Sequence, residues 1–355
     1  MRRWLSKAET ALGNHSDRLN AINIFPVADG DTGTNLYLTV RSAAEALDTL
    51  DAAVTDVGEV LAHAGQAAME KARGNSGTLF SVFLCAAAEP MRGHQRLSAN
   101  LLATALHRAQ IRAWTALSDP VPGTMLSIME AAAVAAAEID SLHPGDDSNH
   151  ALGVTLDAAV AAALAAVVDT EAQLDALQAA SVVDAGGVGM LLIFDCLRSV
   201  VLGEELQGEL LDGLSGYDVQ SPHIHTAMPV DDGVEVMCTI SLSPLDAATL
   251  RQHLDEMGDS VIMSQVGGGE APDGTYRWRV HVHVPTPGPA VELIRSLGTP
   301  TEISISALAE ATDPNAPSGS GTAGDVSAGP GTAHQLGQDH ATDLVDTMDF
   351  GGHER

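Results

Sequence analysis

The sequence predicts a multidomain chain of mixed class, α followed by α+β: an all-helical domain over 1–203, a linker over 204–217, a small α+β domain over 218–312 and a disordered tail over 313–355. Three observations carry that prediction. Up to about residue 203, Ala and Leu recur at helical spacing between turn signals. From 218 to 312 the pattern becomes strand-like alternation interleaved with two helical stretches. From 313 the chain is Gly, Ser, Ala, Thr, Pro and Asp with few large apolar side chains, too little to offset the entropy of ordering it.

In the first part, Leu36, Val40, Ala43, Ala44 and Leu47 fall on one helical face behind an opening loop. Further helices are predicted over 56–71, 76–89, 98–117, 123–141, 149–168 and 188–202, with breaks at "ARGNSG", "EPMRGHQ", "SDPVPG", "LHPGDD" and "VVDAGG". These loops hold more Gly, Asp, Asn and Thr than helix connections require. Loops on a rigid scaffold are where chemistry tends to sit. Residues 203–217, with four Gly among Leu, Glu and Asp, read as the link.

In the second part, "VEVMCTISL" alternates like a strand and "LDAATLRQHLDEMG" is helical; "DSVIMSQVG" and "TYRWRVHVHV" are strands, "GPAVELIRSLG" is helical and "TEISISAL" is a last strand. The order β-α-β-β-α-β is that of the split ferredoxin-like unit. At the far end "LVDTMDF" reads as a frayed terminus, with a short docking motif as the alternative.

With 17 basic against 47 acidic residues the net charge is −30, which repels a phosphate backbone and argues against nucleic acid as a partner. Lys7 and Lys71 are the two lysines, and the remaining 15 cations are arginines. Neither lysine stands in a P-loop or on a kinase-type strand, so a bound nucleotide would need metals to neutralise its phosphates. Cys85, Cys196 and Cys238 are widely spaced and imply no disulfide scaffold. The Ala-rich runs read as broken by acidic residues before they reach membrane-spanning length, and the expected location is cytoplasmic, with no membrane span.

The stretch with most chemistry is "NIFPVADGDTGTNL", residues 23–36. An EF-hand reading fails, because Thr34 stands at the sixth position of the loop and Val40 at the twelfth. A turn whose carboxylates cap the next helix is one reading of Asp29 and Asp31. The other is a shared hold on hard cations, because two aspartates across one glycine can point to one side of an extended segment. The loop "ARGNSGT" adds glycines before a helix whose positive end would face an anion.

"NIFPVADGDTGTNL", "ARGNSGTLFS", "PVPGTMLSIMEAA" and "VVDAGGVGML", in this order, resemble the nucleotide-binding domain shared by the L subunit of dihydroxyacetone kinase and the ATP-binding subunit of bacterial fatty acid kinase, the second more closely. Ala28 and Leu36 replace a proline and a methionine of that pattern, and neither change removes a metal ligand. The resemblance implies an antiparallel helical barrel with ATP and two magnesium ions at one end. It implies Asp29 and Asp31 as magnesium ligands and catalytic residues, with Asn23 a third ligand. Thr32, Thr34 and Asn35 would line the phosphate site, and Gly74, Asn75, Ser76 and Gly77 would cradle phosphate oxygens. Gly123, Thr124 and Met125 would border the base, and Asp184, Gly186 and Gly187 would close over the nucleoside.

The resemblance extends to the middle domain of the same subunit, where "MCTI" and "VHVHV" match a cysteine and a His-x-His pair associated with zinc. Strand parity puts Arg277, Arg279, His281 and His283 on one face, whereas Cys238 alternates with Val234, Val236 and Ile240 on an apolar face. A Cys238, His281 and His283 zinc site therefore requires a bulge, a different sheet order or opposite packing of the two strands. The alternative is a buried thiol beside two solvent-facing imidazoles. His223 or His225 would be a fourth ligand.

The implied activity is ATP- and magnesium-dependent phosphoryl transfer to an acceptor presented by a partner protein that carries the substrate, for instance a fatty acyl carboxylate. The resembled subunit usually has a third, carboxy-terminal domain that engages that partner, and this sequence reads as a disordered tail there. Alternatives are a non-catalytic nucleotide-binding regulator and a dihydroxyacetone-type (glycerone) kinase subunit. The oligomeric state, a homodimer among the options, is left open.

Overall fold

Break residues start the helices by capping them. In the computed structural model, which describes residues 1–217, 233–266 and 271–308, the Asp56, Ser98, Thr124 and Ser148 side chains each accept a hydrogen bond from a backbone N–H in the first turn of the helix that follows. The helical part runs α1 (Arg2–Ala21), α2 (Thr32–Thr49), α3 (Val57–Glu70), α4 (Gly74–Met91), α5 (Ala99–Ala116), α6 (Met125–Leu142), α7 (Asn149–Gln173), α8 (Asp175–Ala180) and α9 (Ala185–Leu202). Consecutive helices from α1 to α8 pack against each other, and α9 packs against α7, α6, α2 and α1. Close approach between them depends on missing side chains. A Cβ on Gly33 would lie 2.3 Å from the Ser16 carbonyl oxygen, and one on Gly189 would lie 2.4 Å from Leu36 Cδ2.

Two expectations change here. By length and composition α7 and α9 are each apolar enough to cross a bilayer, against the reading that acidic residues break every such run. The apolar window of α9 is 83% buried and that of α7 is 50% buried inside the protein, as for helices of a large core. The segment expected to be a link also carries core residues. A 3-10 turn at Gly208–Leu211 leads into Leu214 and Tyr217, and Leu210, Leu211, Leu214 and Tyr217 are buried with the helices.

The second part runs β1 (Val234–Leu242), α10 (Pro244–Met257), β2 (Asp259–Gln265), β3 (Tyr276–Val284), α11 (Pro287–Leu297) and β4 (Thr301–Ala307). Its sheet has the order β2-β3-β1-β4 with antiparallel pairing throughout. Val236, Cys238 and Ile240 of β1 join Val280, Val282 and Val284 of β3 in a core with Leu250 and Leu254 of α10 and Ile294 of α11. The opposite face meets the helical part: Ile262, paired with His281 in the β2–β3 ladder, belongs to the helical core. The architecture is thus mixed, α-helical with a small antiparallel sheet, and all described residues fall in one compact unit.

Three contacts stitch sheet to helices. Leu117 forms a β-bridge with Ile262, and the Ser118 N–H donates to the Val261 carbonyl at 3.1 Å. The Arg251 guanidinium of α10 donates to the Ala116 carbonyl at 2.6 Å and to Ser118 Oγ at 2.9 Å, closing the C-terminus of α5. The loop histidines His223 and His225 and the tail from 313 lie outside the described residues.

Candidate functional site

Asp31 occupies the N-cap position of α2, yet its side chain makes no capping hydrogen bond. The capping work falls to α1 instead. Asn20 Nδ2 donates to Thr34 Oγ1 at 2.8 Å while the Thr34 N–H donates to Asn20 Oδ1 at 3.1 Å. That exchange frees the Asp31 carboxylate and spends Thr34, which does not line the cavity formed at this end of the helices. Buried Asn23 donates to Asp29 Oδ1 at 2.5 Å and accepts from Thr32 Oγ1 at 2.8 Å, so it orients the acidic loop from beneath.

Burial, reinforced by the neighbouring Asp31 charge, pushes the Asp29 carboxyl up to about 8. Burial also raises Asp31, with the Glu235 charge adding to it. Two carboxylates held together out of water are costly without a cation between them, and this donor set fits a hard divalent metal.

Across the cavity stands the N-terminus of α4. The helix begins at Gly74, so Gly74, Asn75 and Ser76 form its first turn, and no side chain caps it. The Arg73 N–H donates to Thr39 Oγ1 and the Gly77 N–H to the Arg73 carbonyl, which leaves the N–H groups of residues 74–76 as the helix's unspent donors. These three residues line the cavity, and Asn75 Oδ1 is buried without a partner. Gly77 does not join them. A Cβ there would sit 2.3 Å from Thr39 Oγ1, so this glycine lets α2 and α4 touch rather than cradling an anion.

The second predicted cluster assembles at the N-termini of α6 and α9. Asp184 caps α9, accepting from the Gly187 N–H at 2.6 Å, while its own N–H donates to Thr170 Oγ1. Burial pushes the Asp184 carboxyl up to about 7 against its backbone hydrogen bonds. Thr124 caps α6, Gly123 adopts φ +81°, and a Cβ on Gly186 would touch Met125 at 3.3 Å. Gly123, Thr124, Met125, Asp184, Gly186 and Gly187 are therefore near one another, but none lines the aspartate cavity. Both clusters lie at one end of the helices, because early turns meet in sequence. Gly74 approaches Asn35 (α4 with α2), Leu36 approaches Gly189 (α2 with α9), and Met125 approaches Gly186 (α6 with α9). Four helix N-termini thus present their positive ends together.

The sheet supplies the rest of the cavity wall. Glu235, His283, Ser306, Ala307 and Leu308 line it with Asn23, Asp29, Asp31, Thr32 and Asn35, and none of its lining residues is Lys or Arg. The enclosed space is about 40 Å³. Glu235 pairs with His283 in the β1–β3 ladder, and the ligand atoms of Glu235, His281 and His283 lie within 4.8 Å of one another. His281 Nδ1 and Nε2 and His283 Nδ1 are buried without hydrogen bonds, and burial pushes His283 down to about 3, keeping its ring neutral. Burial alone would raise Glu235, but His281, His283 and Arg279 outweigh it and hold the carboxylate below its ordinary range. Neutral imidazoles, unpartnered nitrogens and an ionised carboxylate are what a metal site needs.

Cys238 is not part of that group. It pairs with Val280 and is buried in the sheet–helix core on the opposite face, where burial pushes its thiol up to about 11. The sheet follows the strand parity, so the cysteine site is corrected to one with Glu235. The imidazoles are buried rather than solvent-facing. Glu235 was visible in the sequence as the residue three before Cys238, of opposite parity and therefore on the histidine face.

Residues 26–199 match the DAK2 domain, and residues 233–314 match the FakA-like middle domain of fatty acid kinase. Over 310 residues the chain is 27% identical to protein YloV of Bacillus subtilis, covering 84% of this chain and 53% of that protein. Over 286 residues it is 27% identical to an uncharacterized protein of Staphylococcus saprophyticus, covering 78% and 49%. The chain thus spans about half the length of these curated relatives. Among solved structures, the dihydroxyacetone kinase of C. freundii in complex with AMP-PNP and Mg2+ aligns with a TM-score of 0.42 and 21% identity, over 56% of this chain and 33% of that one.

Proposed function

We propose that this chain, linked at family level to the DAK2 and FakA-like proteins, is an ATP- and magnesium-dependent kinase subunit that phosphorylates an acceptor presented by a partner protein. The observation that carries this reading is the buried, uncapped Asp29–Asp31 pair facing the open first turn of α4, with no Lys or Arg in the wall. Magnesium ions on Asp29 and Asp31, with Asn23 in support, would supply the positive charge that neutralises the phosphates during transfer. The N–H groups of Gly74, Asn75 and Ser76 would take phosphate oxygens at the helix end. Thr32 and Asn35 border the same space, and the Gly123–Met125 and Asp184–Gly187 turns would receive the base and ribose.

The finer fold reading belongs with this: α1 to α9 as an antiparallel barrel, and the βαββαβ part as a ferredoxin-like domain. The helical domain over 1–203, the linker over 204–217 and the α+β domain over 218–312 complete it, in the cytoplasm and with a homodimer as one assembly. Glu235, His281 and His283 would hold zinc, two imidazoles and one carboxylate being a familiar donor set with an open position left for a further ligand. A triphosphate needs more room than about 40 Å³, so nucleotide entry requires the β1 and β4 edge, through Glu235 and Ser306 to Leu308, to move off the aspartate loop.

A fatty acyl carboxylate is the acceptor this chemistry suits. Its oxygen is already ionised at neutral pH, so it attacks the γ-phosphorus without a general base; the new P–O bond gives an acyl phosphate as ADP departs. Calorimetry of magnesium-dependent ATP and ADP binding tests the core of the reading. It fails if neither nucleotide binds, or if Asp29→Ala with Asp31→Ala leaves binding unchanged.

The closed cavity favours one second reading, a nucleotide-binding regulator without transfer. Turnover to acyl phosphate with any acyl-carrying partner rules it out, and turnover on dihydroxyacetone alone would favour a glycerone kinase subunit instead.

A further inference from the structure

A second cleft, of about 340 Å³, opens between α4, α5, α10 and the β2–β3 edge. That volume is in the range of small-molecule sites. Its walls are apolar below and basic above. Met69, Val82, Ala86, Met263 and the Trp278 ring line it, and Arg112 and Arg251 stand at its rim with Glu89. The Trp278 ring is fixed, since its Nε1–H donates to the Leu242 carbonyl at 3.2 Å. Cys85 in the same wall is a neutral thiol, burial pushing it up to about 12.

The charge balance at the rim separates this cleft from the rest of a chain of net charge −30. Glu89 is already engaged by Arg108 at 2.7 Å, which leaves Arg112 at 3.7 Å from its second oxygen and half exposed. Arg251 spends its donors on neutral carbonyls and a hydroxyl. The rim therefore carries cationic charge that no carboxylate fully answers, directly above an apolar floor.

We propose that this cleft is a binding site for an amphiphilic monocarboxylate, an alkyl chain lying along Met69, Val82, Met263 and Trp278 with its carboxylate on Arg112. The site is separate from the aspartate cavity and shares no lining residue with it. It does not depend on the nucleotide reading.

The test is a titration of the full chain with decanoate, read by calorimetry and by tryptophan emission. Decanoate should bind saturably and change the emission, and Trp278→Phe should remove the spectral change but keep the heat. Arg112→Ala should weaken binding about tenfold, the loss of one charge-assisted contact, and decanol should bind the unmodified chain about tenfold more weakly than decanoate. Thr115→Phe, at an exposed cleft position, should fill the space and abolish binding, whereas Asp29→Asn should leave it unchanged. The proposal is overturned if decanoate gives no saturable signal, if decanol binds equally well, or if Arg112→Ala and Thr115→Phe bind as the unmodified chain does. The decanol comparison decides the head-group question even if a variant fails to fold.

Discussion

The Glu235 carboxylate lies 3.2 Å from His281 Nδ1, reaching diagonally across the β1–β3 ladder on the sheet face that meets the helices. Cys238, three residues on, faces the other way. Metal content should therefore follow the carboxylate and not the thiol. Zinc added to the metal-free full chain should bind at one equivalent and be lost in Glu235→Ala and in His283→Ala, while Cys238→Ser keeps it. Elemental analysis after gel filtration checks this, and loss of zinc in Cys238→Ser alone would restore the cysteine site.

Asp31→Asn should separate stability from binding. Removing one charge relieves the repulsion that raises Asp29, so the metal-free variant should melt higher than the parent. Its magnesium-dependent affinity for ATP should fall by more than about 100-fold, beyond what loss of an outer-sphere partner costs. Paired thermal melts and calorimetry read both signs; a variant that melts lower and binds as before contradicts the assignment.

Asp184 gives a pH signature. Its folded carboxyl titrates near 7 against 3.8 for the free group, so the stability it contributes is fully present below about 3.8 and is lost as pH rises through about 7. Three pK units correspond to on the order of 4 kcal/mol as an upper bound. Asp184→Asn, which keeps a capping side chain, should flatten the decline in stability over that window. Urea midpoints measured across it are the check, and an unchanged slope counts against the assignment.

Gly77→Ala should destabilise the helical part by about 1–3 kcal/mol, the usual cost of overpacking, because its Cβ would meet Thr39 Oγ1 at 2.3 Å. Zinc binding at Glu235 should be untouched. A neutral substitution in denaturant melts would mean that α2 and α4 separate more readily than their packing indicates.

The helices and strands were legible because their signals are local. Apolar spacing, Ser, Thr and Asp caps and period-two alternation each act within a few residues, and the predicted strand "VEVMCTISL" coincides with β1. The aspartate loop was legible for the same reason, its residues lying close in sequence. What was not legible is tertiary. Gly77 looks like its neighbours in "GNSG" until Thr39 is placed against it, and Thr34 looks like a phosphate ligand until Asn20 caps with it. Strand parity did expose the Cys238 conflict. Naming Glu235 in its place required knowing that β1 pairs with β3 and that this face meets the helices.

Leu117 and Ser118, which pair with β2, and Gly123 to Met125, which meet the α9 turn, belong to one short connection between α5 and α6. With Arg251 holding the end of α5 to the same sheet, that connection acts as a tie-rod: its one end is anchored in the strand edge and its other end is the turn beside Asp184. Any displacement of the sheet that opens the aspartate cavity therefore pulls on that turn as well, so the phosphate end and the base end of the helical part respond to a single movement.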